Sequence, residues 1–433
     1  MSALARYFHA RKVHVSGYDR TPTPLTRKLE ESGINIHYED NIDLIPKDAD
    51  IVVYTPAIPA DQKELSYYRQ HGYKVVKRSD VLQWITENSF NICVAGTHGK
   101  TTITTMVAHI LRYTGYGCNA FLGGISANYQ TNFWSSERNV CVVEADEYDR
   151  SFLKLVPDIA VISAMDADHL DIYGTAEEVE KAFIQFAKKI KKGGCLVSKH
   201  GMHRSTELKA DFHYSYSFND TAADVYAADI KVEHGGYRYD VVAKSWIIKN
   251  VILPMGGLHN IENSVAAITI AMHLHIDEEK IKGAVAAFKG VKRRFEYIVN
   301  NDKHVLIDDY AHHPEELRAL ITGVRSLFPK QKCTLVFQPH LYSRTNDQAD
   351  GFAEVLSMAD EVILLPIYPA RELPIPGVSS EMIKEKMKHG HVVVLSKEHM
   401  ITYMQQNKPG LIVMSGAGDI DALVPVIKDI ISA

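Results

Sequence analysis

Seven consecutive residues, Gly96-Thr97-His98-Gly99-Lys100-Thr101-Thr102, carry the densest chemistry in the chain. They follow an apolar run, Asn91 to Ala95, that reads as a strand, and they precede a helical pattern from Thr104 to Arg112. A glycine-rich turn between strand and helix lets backbone N–H groups wrap a phosphate, and the helix N-terminus adds positive potential. Lys100 would reach the outer phosphates of a nucleotide, and the Thr101 hydroxyl could ligate Mg²⁺. The full phosphate-loop pattern has a further glycine at position 94, where this chain has Val94, so the loop is a shortened Gly-x-x-Gly-Lys-Thr. The run Cys141-Val142-Val143-Glu144-Ala145-Asp146-Glu147 is an apolar strand ending in acids. A carboxylate at such a tip, beside a phosphate loop, is where a Mg²⁺ ligand is needed. Glu144 is the first choice; Asp146 and Glu147 read as solvated acids.

Five further clusters follow. Val161-Ile162-Ser163 leads to Asp166, Asp168-His169 and Asp171, where His169 could ligate a metal, although no zinc-type partners stand near it. Gly256-Gly257-Leu258-His259-Asn260-Ile261-Glu262-Asn263 opens an Ala-rich helix and could hold an adenine edge or a phosphate; N-capping explains Asn260 equally well. Arg293 and Arg294 could clamp a phosphate across a cleft or form a solvated basic hinge. Asp308-Asp309-Tyr310-Ala311-His312-His313-Pro314 and Gln338-Pro339-His340-Leu341-Tyr342-Ser343-Arg344 both follow apolar strands. They therefore fall at carboxyl ends of strands, the side where open α/β sheets bind ligands. His, Tyr and Arg together fit a small zwitterion.

The elements that must position these residues alternate. At 433 residues the chain exceeds one ordinary core, and three α/β units are expected, each on a mostly parallel sheet with flanking helices. Residues 1–88 alternate short strands with helices. Residues 89–294 form a phosphate-loop unit that changes character between Phe212 and Leu253, where alternating residues around His234-Gly235-Gly236 predict an antiparallel insert. Residues 295–433 return to a doubly wound, Rossmann-like pattern. Composition is that of a soluble globular protein, 46% apolar and 23% charged, and a net charge of −5 gives no reason to bind nucleic acid or an anionic membrane. The five scattered cysteines predict buried thiols and a reducing compartment. No apolar run spans a bilayer, and residues 1–8 lack a signal-peptide pattern, so a cytoplasmic location is expected.

Taken in order, the motifs resemble the Mur ligase family of peptidoglycan synthesis: Gly96 to Thr102, Glu144-Ala-Asp-Glu-Tyr-Asp149, Asp168-His169-Leu-Asp171, Leu258-His-Asn-Ile-Glu-Asn263, Arg293-Arg-Phe-Glu296, Asp308 to Pro314 and Ser415-Gly-Ala-Gly-Asp419. The resemblance covers essentially the whole chain. It implies an ATP- and Mg²⁺-dependent, ADP-forming ligase with a UDP-sugar domain, an ATPase domain and an amino-acid domain. Carried over by position, Lys100 holds the ATP phosphates, Thr101 and Glu144 bind one Mg²⁺, and Glu144 and His169 a second. His259, Asn260 and Asn263 match the adenine side, Arg294 the phosphate contact and Asp309 the ribose or phosphate side. Tyr310, His312, His340 and Arg344 match the region around the muramoyl carboxylate and the incoming amino acid. Catalysis is thereby assigned to Lys100, His169, Arg294, His312 and Arg344.

Val156-Pro157-Asp158 and Ala164 to Tyr173 resemble the branch that joins L-alanine to UDP-N-acetylmuramate. The alternatives are the branch attaching a recycled tripeptide to that nucleotide sugar, a glutamate ligase of folate-like substrates, and a non-catalytic nucleotide-binding regulator. Either a monomer or a homodimer is expected. Two departures stand out. The family's glycine-rich loop, which normally precedes the segment matching Met1 to Phe8, is absent, which weakens the expected hold on UDP. Phe183-Ile184 stands where some siblings have a carbamylated lysine, so His169 is expected to serve the second metal.

Overall fold

The computed structural model describes residues 1–432 except 56, 57, 60, 167–169, 371, 389 and 390, and it is silent on the side chains of residues 149, 170 and 171. Among the described residues the first unit holds four three-residue strands, β1 (Ser16–Tyr18), β2 (Asn35–His37), β3 (Val52–Tyr54) and β4 (Val75–Lys77). They pair in parallel as β1–β2 and β3–β4, in two separate two-stranded sheets. The single parallel sheet expected here is corrected to two short pairs. Strands this short make few ladder hydrogen bonds, so side-chain packing must hold the unit. Part of that packing is on the central unit: in helix Ser2–Ala10, Arg6 donates to Thr131 Oγ1 at 2.9 Å, and the Tyr7 ring meets Phe121 and Phe133.

The central sheet comprises β5 (Phe90–Ala95), β6 (Asn119–Ser126), β7 (Thr131–Trp134), β8 (Val140–Glu144), β9 (Ile159–Ile162), β10 (Cys195–Lys199), β11 (Phe212–Ser217), β12 (Val225–Glu233), β13 (Gly236–Ala243) and β14 (Ile247–Leu253). Their order is β14-β13-β12-β11-β10-β9-β5-β8-β6-β7. The run β12 to β6 is parallel, with β13 and β14 antiparallel at one edge and β7 at the other. The antiparallel portion thus begins at β12. Phe212–Ser217, expected within the insert, is a parallel strand, and the insert extends the main sheet. His234 and Gly235 turn β12 into β13 with φ of 50° and 76°, the left-handed pair that a tight hairpin requires.

Alternation along β5 sorts the core. Ile92 and Val94 face helices Lys100–Tyr113 and Leu258–His273; Cys93 and Ala95 face helix Ala176–Ala187 and the N-terminal helix. Covering both faces is what makes these parallel strands continuously apolar. All five cysteines are buried and free, as the sequence predicts.

The third sheet holds β15 (Glu296–Asn300), β16 (Val305–Asp309), β17 (Cys333–Phe337), β18 (Glu361–Leu364), β19 (His391–Val394) and β20 (Leu411–Ser415), in the order β15-β16-β20-β17-β18-β19. All neighbours are parallel except the edge strand β15, which the sequence reading did not separate from the junction. The β16–β17 connection passes over β20, so the loops after β16, β20 and β17 meet at one carboxyl-end crevice.

Candidate active site

In the central unit β5 lies between β8 and β9, with Val94 beside both Glu144 and Val161. The three following loops therefore emerge side by side. Gly96, with φ of 137°, begins the phosphate loop; a Cβ there would overlap Ser163 Oγ and come within 2.8 Å of Ala164 N. Thr97 N donates to Ala164 O at 3.2 Å, and Asp166 N to Thr97 Oγ1 at 3.3 Å. Ser163 Oγ donates to the His98 carbonyl, while the His98 and Asp166 side chains are exposed and 3.7 Å apart. Gly99, with φ of 80°, is the N-cap residue of helix Lys100–Tyr113, and Thr102 is buried in its first turn.

Lys100 Nζ donates to Gly96 O at 2.6 Å and to Glu147 Oε1 at 2.7 Å. Glu147 is 1% exposed, which corrects its reading as a solvated acid; Asp146 is exposed. Thr101 Oγ1 donates to Glu144 Oε1 at 3.1 Å, and Gly123 N donates to Glu144 Oε2 at 3.1 Å. A Cβ on Gly123 would overlap that carboxylate, so the glycine on β6 belongs to the site although the sequence did not single it out. Burial pushes the Glu144 carboxyl above its ordinary range, against the pull of Lys100, the Thr101 hydroxyl and Arg294. A hydroxyl and a carboxylate are the hard oxygen donors that Mg²⁺ prefers, and a dication beside them would offset the cost of a buried negative charge. Among the described residues no trio of His, Cys, Asp or Glu forms a metal cluster. Asp168 and His169 lie outside the described residues.

Helix Leu258–His273 brings the amide pair to the loop. Asn260 Nδ2 donates to Gly256 O at 2.7 Å, Asn263 Nδ2 to Asn260 Oδ1 at 3.1 Å, and Asn263 Oδ1 would lie 2.7 Å from a Cβ on Gly99. The N-cap residue is Gly257, so capping does not account for Asn260. His259 is exposed in the first turn.

At the junction the two arginines differ. Arg293 is engaged with the third unit: it donates to Gly416 O, lies 3.7 Å from Asp308 and from Asp421, and covers the Tyr310 ring. Arg294 is exposed, and its charge favours the ionised forms of both Glu144 and Asp309. Arg294, not Arg293, is therefore the arginine whose charge acts on Glu144. Arg293 and Phe295 take φ of 59° and 49°, and Asp309 holds this strained turn by accepting from Phe295 N and Ala311 N, each at 2.7 Å. Burial raises the Asp309 carboxyl to about 6.

The C-terminal crevice gathers the second cluster. His312 Nδ1 is 2.9 Å from Tyr310 O. A carbonyl only accepts, so Nδ1 carries the proton and Nε2 keeps its lone pair. Arg344 Nη1 is 3.3 Å from His340 Nδ1, and a guanidinium only donates, so His340 has the opposite tautomer. The rings of Tyr310, His312 and His340 adjoin, with centroids 5.2 and 6.1 Å apart. Burial lowers both imidazoles, which favours their neutral forms. Tyr368, which the sequence did not mark, stacks on His340 at 5.7 Å.

Three family models match the chain: "Mur ligase family, catalytic domain" over residues 1–89, "Mur ligase middle domain" over 94–271 and "Mur ligase, glutamate ligase domain" over 293–418. The UDP-N-acetylmuramate–L-alanine ligase of Porphyromonas gingivalis is 46% identical over 436 residues, covering 99% of this chain and 96% of that protein. The corresponding protein of Flavobacterium johnsoniae is 45% identical over 100% of this chain and 95% of its own length. Among solved structures, UDP-N-acetylmuramate-alanine ligase from Thermotoga maritima superposes with a TM-score of 0.82 at 25% identity, covering 100% of this chain and 96% of that one. A murein peptide ligase from Psychrobacter arcticus shares the fold with a TM-score of 0.66 at 22% identity. By sequence along its whole length, the chain belongs to the Mur ligase family.

Proposed function

We propose that this chain joins L-alanine to the carboxylate of UDP-N-acetylmuramate, using ATP and Mg²⁺ and yielding ADP and phosphate, as a cytoplasmic step of peptidoglycan precursor synthesis. The observation that carries the reading is the near-complete match, at 46% identity, to a relative bearing that activity in its name. The division of labour assigns residues 1–88 to the nucleotide sugar, 89–294 to ATP and 295–433 to the amino acid.

A carboxylate is a poor electrophile, so its oxygen must first take the γ-phosphoryl group, giving an acyl phosphate and ADP. Magnesium, when bound, neutralises charge on the triphosphate. Thr101 and Glu144 would hold it, with His169 as the expected further ligand. The backbone N–H groups from Gly96 to Thr102 wrap the phosphates, and Lys100 exchanges its contact with Glu147 for the transferred group. His259, Asn260 and Asn263 fit the adenine side; Arg294 and Asp309 line the seam between the units. In the second step the alanine amine attacks the acyl carbon and phosphate leaves. His312, with Nε2 unprotonated, takes the ammonium proton, Arg344 takes the alanine carboxylate, and Tyr310 and His340 close the pocket against water.

Phosphate release with ATP, UDP-N-acetylmuramate and single amino acids tests the assignment. Release dependent on L-alanine is expected; release dependent only on the tripeptide L-alanyl-γ-D-glutamyl-meso-diaminopimelate would reassign the chain to the recycling branch.

A further inference from the structure

The helix Tyr342–Asp347 carries Arg344 but spans only six residues, too few to be stable on its own. Its shape is imposed from outside. The segment after β18 runs alongside: Tyr368 N donates to Pro339 O at 2.8 Å, and Leu341 N to Tyr368 O at 2.9 Å. Beyond it, Glu372 N donates to Pro369 O at 2.9 Å, and Ala370 takes φ of 50°. The Glu372 carboxylate meets the helix start, where Oε2 accepts from Ser343 N at 2.9 Å and Oε1 from Ser343 Oγ at 2.5 Å. Leu341, just before the helix, has φ of 71°. Two non-glycine residues in the left-handed region therefore flank one site, a conformation that persists only where the surroundings over-determine it.

We infer that Glu372 is a positioning residue for the amino-acid half of the reaction, capping the helix Tyr342–Asp347 through Ser343 and so fixing Arg344 against His340. A carboxylate accepting a backbone N–H and a hydroxyl makes two charge-assisted bonds, which hold Glu372 ionised and below the usual carboxylate range. Without them the short helix loses its external cap, and the Arg344 fork loses the orientation that sets it 3.3 Å from His340. The effect then falls on alanine capture and spares the nucleotide. The role of Arg344 in holding alanine rests on the ligase reading above; the capping does not.

Two measurements separate these claims. In steady-state phosphate release, Glu372→Ala raises KM for L-alanine about tenfold, the worth of one lost charged hydrogen bond, with KM for ATP unchanged. Glu372→Gln, which can still accept from Ser343 N, restores part of the loss. By hydrogen exchange, amides of residues 342–347 exchange about tenfold faster in Glu372→Ala, while those of the central sheet do not change. Unchanged exchange at 342–347, or equal rises of KM for ATP and L-alanine, overturns the inference. A wild type lacking L-alanine-dependent release overturns the ligase reading instead, and the exchange data still decide the positioning claim.

Discussion

Thr101 Oγ1 donates to Glu144 Oε1 over 3.1 Å, tying the first turn of the phosphate-loop helix to the tip of the neighbouring strand. The two groups are 43 residues apart in sequence, and parallel pairing of β5 with β8 brings them together. A hydroxyl donor on one side and a half-buried carboxylate on the other define one oxygen-lined position beside the phosphate loop.

Lys100→Ala removes the ammonium that the loop holds against Gly96 O and Glu147, the group proposed above for the ATP phosphates. It lowers ATP-dependent ligation by roughly 10³-fold, the scale of losing a charge-stabilising donor in a dry site. Far-UV circular dichroism and binding of UDP-N-acetylmuramate should remain those of wild type. Near-normal turnover would contradict the assignment.

Gly123→Ala places a methyl group on the Glu144 carboxylate. The carboxylate must move, and it can no longer meet Thr101 and a metal ion together. Calorimetry should show Mg·ATP affinity falling by about tenfold or more, equivalent to about 1.4 kcal/mol, with little change in binding of UDP-N-acetylmuramate. Gly124→Ala is no neutral control, because its Cβ would meet Val291 at 2.7 Å.

Asp308 gives the third unit a pH-dependent stability. It is 3% exposed, Oδ1 has no hydrogen-bond partner, and burial raises its carboxyl from 3.8 to about 7. Between those values the native state keeps a proton that the unfolded chain has released, so stability falls as pH rises from about 4 to about 7 and levels off above. Urea midpoints across that window should show the fall. In Asp308→Asn the fall shrinks, and the variant gains on wild type toward pH 8; identical pH profiles would show that Asp308 is not the group responsible.

Burial lowers His312, so its Nε2 lone pair is available through neutral pH and is lost only below its ordinary pKa of 6.5. The acid limb of kcat/KM for L-alanine should therefore lie below pH 6.5. His312→Asn should reduce kcat by roughly 10²-fold, within the range for removing a general base, while leaving KM for ATP near wild type. An acid limb above pH 7 would assign the base elsewhere.

Much of this site was legible because the chain is built from parallel strands. Each strand is an apolar run, and the residues that end or follow it stand at its carboxyl end; Gly96, Glu144, Asp309 and His340 are legible that way. Contacts made across the fold were not legible. Glu147 lies three residues beyond the strand tip and looks solvated until its burial against Lys100 is seen. Gly123 is an ordinary strand glycine until β6 is placed beside β8. Tyr368 and Glu372 stand in a loop whose partners, His340 and Ser343, lie about thirty residues earlier. The roles of Arg293 and Arg294 divide only once Arg293 is seen to turn into the third domain. In the first unit, three-residue strands left too little apolar pattern to reveal two separate pairs.

The most direct measurement follows an oxygen atom. UDP-N-acetylmuramate labelled with ¹⁸O in its muramoyl carboxylate is incubated with the protein, ATP, Mg²⁺ and L-alanine, and the inorganic phosphate is analysed by mass spectrometry. Activation through an acyl phosphate predicts one ¹⁸O per phosphate released, formed in step with the alanine amide. Amide formation with unlabelled phosphate would contradict it.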